Sequence, residues 1–228
     1  MKIVAAGEGA FGRKHLEALK HIENVEVISL AGGVVSATKD VAEEFDIPHW
    51  SLDLGECINQ PGVEAVILVT PTPLHAAQAM QVLDAGKHVF VEIPMADNIE
   101  DSRALSAKVS ATGLTAMVGH VRRFNPPHQW VHNKVASGEL GIQQMDIQTF
   151  FFRRTNVNAL GQPRSWTDHL LWHHAAHSID LFKYQTSEEI TDVHAVAGPV
   201  NPDLGIYMDM GVVMRTTGGK ICNLSLSF

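Results

Sequence analysis

Lys2-Ile3-Val4-Ala5-Ala6-Gly7-Glu8-Gly9-Ala10-Phe11-Gly12 opens the chain and decides the fold of its first half. Residues 2 to 6 read as a buried strand. A helical pattern follows from Arg13 to His21. Between them Gly7, Gly9 and Gly12 form G-x-G-x-x-G. The first glycine permits a tight turn, the second lets backbone approach a pyrophosphate, and the third lets helix and strand pack closely. The helix N-terminus then faces the phosphates. In this strand-turn-helix setting the motif points to a bound dinucleotide. A glycine turn without a ligand is the alternative.

Working outward, apolar strand-like runs at 25–30, 63–69, 88–92 and 115–119 alternate with helical patterns at 36–45, 74–85 and 99–112. Strict alternation with short apolar strands predicts a doubly wound parallel α/β sheet of Rossmann type over residues 1–120. An NAD-specific site of this type usually offers Asp or Glu to the ribose some 20 residues past the glycines. Ser29-Leu30-Ala31-Gly32-Gly33 offers none, which favours NADP. No arginine stands there to clamp a 2′-phosphate, so NAD is also open. Thr70-Pro71-Thr72-Pro73-Leu74-His75 follows a strand at the carboxyl end of the sheet, where ligands bind. Thr70 and Thr72 could meet ribose or phosphate there, or simply terminate the strand and cap a helix.

The chain has 228 residues, 45% of them apolar, long enough for one or two domains. Its formal charge of −8 argues against a nucleic-acid partner. No run approaches the roughly 18 apolar residues of a membrane span. A strand beginning almost at Met1 leaves no room for a leader, and Cys57 and Cys222 form no disulfide framework, so a cytoplasmic protein is expected. Five of eight arginines (Arg122, Arg123, Arg153, Arg154, Arg164) and seven of thirteen histidines fall between 120 and 177. That concentration fits a small anionic ligand. Solvated surface arginines are the plainer alternative.

After residue 120 the pattern changes. A helical stretch at 126–137 and strand-like runs at 142–153, 190–198, 205–216 and 220–228 predict a second, α+β domain over 121–228. The chain ends on strand residues, so this domain is expected to be incomplete, with its last strand an unpaired apolar edge. Residues 165–182 predict a single helix, opened by a capping-box-like Ser165 and Asp168. At about 100° per residue, Leu171, Trp172, Ala175, Ile179 and Phe182 share one face, and His169, His173, His177 and Asp180 the other. Such a stripe moves protons or holds a metal. His173 and His177 at i and i+4 have zinc-helix spacing, but position 174 is His rather than the Glu such sites use as base, so no metal is expected.

Several of these segments carry a resemblance. The glycine turn, Thr70-Pro71-Thr72 with His75, Ala85-Gly86-Lys87-His88-Val89, Glu92-Ile93-Pro94 and Arg123-Phe124-Asn125-Pro126 resemble the glucose-fructose oxidoreductase / inositol dehydrogenase / MocA family. The likeness implies a Rossmann domain followed by a substrate-binding and oligomerisation domain with an open, mainly antiparallel sheet, assembling as a homodimer or higher homo-oligomer. It implies cofactor contacts from Gly7, Gly9, Ala10, Phe11, Gly12, Thr70, Thr72, His75, Glu92 and Pro94. The second half is similar to the branch that oxidises the cyclic hemiacetal of a carboxylated muconate semialdehyde to a pyrone dicarboxylate. The stretches Phe151-Phe152-Arg153-Arg154 and Arg164 to His177 carry this. A di- or tricarboxylate substrate is then expected on Arg122, Arg123, Asn125, Arg153, Arg164, Trp166 and His174.

Two departures from the wider family matter. Its Glu-Lys-Pro lysine is Ile93 here, and an aspartate four residues before the histidine is His173. His177 is therefore the expected general base, with His173 and Asp180 orienting it. A hemiacetal hydroxyl is more acidic than a sugar alcohol, so a histidine with a pKa near 6.5 can serve without a lysine. Loss of the lysine also fits a dinucleotide-binding regulator without turnover, and a sugar or polyol dehydrogenase is a further alternative.

Overall fold

In the computed structural model, residues 1–152, 155–157, 161, 163–164 and 167–228 are described. The chain divides into two compact units, Met1–Gly119 and His120–Phe228.

The first unit is a six-stranded parallel sheet in the order β3-β2-β1-β4-β5-β6. Its strands are β1 (Lys2–Ala6), β2 (Glu26–Ala31), β3 (His49–Ser51), β4 (Val63–Leu68), β5 (His88–Val91) and β6 (Ala116–Val118). Helices α1 (Ala10–Leu19), α2 (Val35–Glu44), α3 (Leu54–Ile58), α4 (Thr72–Asp84) and α5 (Ile99–Thr112) link them. β1 shows why the run Ile-Val-Ala-Ala is continuously apolar. Successive side chains point to opposite faces, and helices cover both. Val4 and Ala6 enter one core with Leu54, Ile58, Val82 and Leu105, while Ala5 enters another with Leu16, Leu30 and Val41. The α5 boundaries follow local chemistry. The Asn98 side chain accepts the Asp101 amide at the start, and Gly113 takes the left-handed conformation (φ 68°) at the end. β3 and α3 are elements that the alternation did not reveal, because three and five residues are too few to show a period.

The second unit carries α6 (Pro126–Ala136), α7 (Ala176–Thr186) and a four-stranded sheet in the order β7-β10-β9-β8. Its strands are β7 (Gln144–Phe150), β8 (Ile190–Ala197), β9 (Asp209–Thr216) and β10 (Ile221–Ser227). β10 runs parallel to β7 and antiparallel to β9, which runs antiparallel to β8. This corrects the expectation for the last strand: β10 is central, bonded on both sides, and the sheet edges are β7 and β8. Cys222, Leu224 and Leu226 of β10 and Val212 and Met214 of β9 alternate inward against Leu170, Ala175 and Phe182. Each such apolar side chain contributes about 1.5–3 kcal/mol by leaving water.

The expected helix over 165–182 is replaced by a composite. Ser165 lies outside the described residues. Leu170–Ala175 winds as a π-helical turn, and α7 continues from Ala176. Wider i→i+5 winding resets the buried face. Leu170 and Ala175, five apart, are buried, followed by Ser178, Leu181 and Phe182. Leu171 and Trp172, expected inside, are only half-buried.

Candidate active site

The glycine turn lies where β1 ends, beside β4, and here the strand order of the parallel sheet reverses. This is the switch point at which open α/β sheets bind ligands. Gly7 has φ 114°, and a Cβ there would stand 2.5 Å from the Val69 carbonyl oxygen. A Cβ on Gly12 would stand 1.8 Å from the Gly7 carbonyl oxygen, so any larger residue would push helix from strand. A Cβ on Gly9 would meet nothing within 4 Å. Gly9 thus leaves its peptide open to a ligand rather than relieving an internal clash. Ala10 and Phe11 are exposed beside it at the start of α1. These residues fit a dinucleotide pyrophosphate.

Other expected cofactor contacts are placed differently. His75 is 2% exposed, with Nδ1 2.8 Å from the Pro94 carbonyl oxygen and Nε2 2.7 Å from that of Thr70. Both ring nitrogens face main chain, so His75 ties two site loops together instead of reaching a cofactor. The Thr70 hydroxyl donates to Gln78 Oε1 at 2.5 Å, and Thr72 is buried at the start of α4. Glu92, 7% exposed, accepts the Ile93 amide at 3.2 Å, and its Oε1 lies 2.8 Å from His15 Nε2. His15 was not expected. It stands one turn beyond Gly12, yet its partner is 77 residues away. Glu8 was not expected either: its Oε1 accepts the amides of Gly33 and Val34 at 2.9 and 3.0 Å.

In the second unit, charged groups pair internally. Arg123 grips Asp180 with two bonds, Nε to Oδ2 at 2.8 Å and Nη2 to Oδ1, which holds the guanidinium above its ordinary range. His120 Nδ1 lies 3.8 Å from the same carboxylate. Asp180 thus faces Arg123 and His120, and Arg123 is engaged by an internal carboxylate. Arg164 binds Asp168 through Nη1 and Nη2 at 3.2–3.3 Å. Asp168 also faces His173 Nε2 at 3.3 Å. His173 Nδ1 accepts the His169 amide at 3.2 Å, so in the neutral ring the proton sits on Nε2, toward Asp168. His169 Nδ1 in turn accepts the Leu171 amide at 3.1 Å, capping the π-helical turn, and burial lowers its pKa. Sequence spacing placed His169, His173 and His177 on one stripe. The structure shows a local chain of contacts through Asp168 instead.

Arg122 differs. It donates to Ser178 Oγ at 3.1 Å, a neutral hydroxyl on the residue after His177. Burial pushes its guanidinium down from its ordinary value, and among the described residues no carboxylate opposes that shift. His177 is half-buried in the first turn of α7. The ring of His174 packs edge-on to Phe228, centroids 4.9 Å apart, and tilted to Phe151. Asn125 is exposed at the start of α6, where its carbonyl accepts the Gln129 amide. Arg153 and Trp166 lie outside the described residues. Among the described residues no three His, Cys, Asp or Glu converge as a metal site, and no helix is long and apolar enough to cross a membrane.

Residues 1–120 match the model of an oxidoreductase family with an NAD-binding Rossmann fold, and residues 126–228 match that of the bacterial oxidoreductase C-terminal domain. The chain belongs to this oxidoreductase family. It is the family that the glycine turn and the motifs downstream of it resemble. The oxidoreductase is 54% identical over 228 residues to 4-carboxy-2-hydroxymuconate-6-semialdehyde dehydrogenase of Sphingobium sp. SYK-6, covering all of this chain and 72% of that one. It is 28% identical over 197 residues to scyllo-inositol 2-dehydrogenase (NAD(+)) of Bacillus subtilis, covering 85% of this chain and 56% of that one. Among solved structures, the WlbA dehydrogenase of Bordetella pertussis superposes with a TM-score of 0.88 at 21% identity, covering 100% of this chain and 66% of that one. That likeness shares the fold. The matched family model and the fold of the first unit make the cofactor a nicotinamide dinucleotide.

Proposed function

We propose that this oxidoreductase oxidises the cyclic hemiacetal of 4-carboxy-2-hydroxymuconate-6-semialdehyde to the lactone 2-pyrone-4,6-dicarboxylate, a step in the breakdown of aromatic compounds. Similarity along the whole chain to a dehydrogenase of that semialdehyde carries this reading. A bound nicotinamide supplies the hydride acceptor. The chain's residues do the rest. His177 accepts the hemiacetal hydroxyl proton as general base. Arg122 receives a substrate carboxylate: a half-buried guanidinium bonded to a neutral hydroxyl gains more from an anion than one already paired. The Arg164–Asp168–His173 contacts hold the segment that leads into His177. Cytoplasmic location and homo-oligomeric assembly belong to the same reading.

Which dinucleotide is used turns on the end of β2. The expectation of NADP rests on the missing acid at residues 29–33, whereas the Glu8 carboxylate sits against residues 33 and 34.

The test is nicotinamide reduction, followed by absorbance, with the semialdehyde as substrate. The wild-type chain should turn over. His177→Asn should keep its fold and dinucleotide affinity but lose about 10²- to 10⁴-fold in kcat. Near-wild-type single-turnover hydride transfer in His177→Asn would remove this histidine from the mechanism.

A further inference from the structure

We propose that Glu8 sets the choice between the two dinucleotides by disfavouring a 2′-phosphate, so that this chain binds NAD in preference to NADP. The proposal rests on the dinucleotide reading of the glycine turn. Glu8 occupies the variable position between Gly7 and Gly9, and it reaches across to the loop after β2. There Oε1 accepts the amides of Gly33 and Val34, 25 and 26 residues away. Oε2 takes no hydrogen bond among the described residues.

In sheets of this kind the adenosine ribose lies at the end of the second strand, where an acidic residue of that strand normally receives its hydroxyls. This chain has no acid at 29–33, yet the structure delivers a carboxylate to the same place from the neighbouring loop. Two consequences follow. Ribose hydroxyls can donate to Glu8, as they would to an acid on β2. A 2′-phosphate would have to lie against a like charge, or displace that charge from the two amides that would otherwise serve the phosphate. No arginine between residues 29 and 35 offsets this. The missing acid at the strand end and the glutamate inside the glycine motif therefore form one device.

The experiment is calorimetric titration of the full 228-residue chain with NAD and with NADP, for the wild type, Glu8→Gln and Glu8→Ala, each checked for unchanged thermal unfolding. Glutamine keeps an acceptor at the two amides without the charge, and alanine releases the amides. The wild type should bind NAD about tenfold or more tightly than NADP. Both variants should tighten NADP by roughly tenfold, the scale of one partly screened charge contact. The Glu8→Gln gain should shrink as salt rises. Wild-type Kd values for NADP equal to or below those for NAD would overturn the proposal, as would an unchanged ratio in both variants. Either result would leave the dehydrogenase reading standing. A folded wild-type chain that binds neither dinucleotide would sink the dinucleotide reading and this inference with it.

Discussion

Arg122 and Arg123 are sequence neighbours with opposite fates. Arg123 closes a two-bond pair with Asp180, a carboxylate 57 residues away, and its charge is answered. Arg122 turns to the buried Ser178 hydroxyl and loses part of its hydration without gaining a counter-charge among the described residues. A desolvated cation of this kind costs free energy unless an anion joins it. Arg122→Gln should therefore raise KM for a carboxylated substrate by about 10- to 100-fold, leave dinucleotide Kd unchanged, and cost little stability. Arg123→Gln should instead lower the unfolding midpoint, because it strands Asp180. Steady-state kinetics and thermal unfolding of the two variants separate these outcomes. Equal effects of both substitutions on KM would remove Arg122 from its special place.

At the scale of elements, the π-helical turn Leu170–Ala175 depends on a titratable cap. His169 Nδ1 accepts the Leu171 amide, and burial lowers the pKa of that ring. The folded state thus prefers the neutral ring. Above the ordinary histidine pKa of about 6.5, folded and unfolded rings are both neutral and pH has no effect. As pH falls through that value, the unfolded chain binds a proton that the folded chain resists, so stability is lost until the folded ring titrates as well. Protonation also removes the lone pair that caps the turn. Asparagine can accept the same amide without titrating. The fall in unfolding midpoint between about pH 7.5 and pH 5.5 should be smaller in His169→Asn than in the wild type. An identical fall in both would show that this cap plays no part in the acid response.

For the whole molecule, each of the two units holds one buried thiol within an apolar core. Cys57 lies among Leu54, Ile58 and Val66, and Cys222 among Leu224, Leu226 and Phe182. Burial pushes the Cys222 thiol up to about 11 and raises that of Cys57, so alkylation near neutral pH reports opening of the core around each. Leu226→Ala removes a fully buried side chain from the second core and should cost about 2–5 kcal/mol. The expected result is that Cys222 becomes alkylated at lower urea, while Cys57 keeps its wild-type midpoint. Parallel shifts of both thiols would show that the two units open together.

The amino-acid sequence alone determined the alternating strands and helices of the first unit and the steric need for Gly7 and Gly12. It also determined the extent of α5, read as a helical pattern over 99–112. These are local matters: side-chain period, backbone conformation and capping act within a few residues of chain. Periodicity says which face of β10 is buried but not which strands lie beside it. Only the folded sheet put β10 between β7 and β9. Regular 3.6-residue winding could not foresee the π-helical turn that buries Leu170 in place of Leu171. The pairs found within each unit, Glu8 with Gly33 and Val34 and His15 with Glu92 in the first, and Arg123 with Asp180 in the second, join residues 25 to 77 apart. Nothing in the local pattern distinguishes those side chains from solvated ones. Their partners are fixed by hydrogen bonds and charge pairing between distant segments, and that geometry exists only once the sheets have brought the loops together.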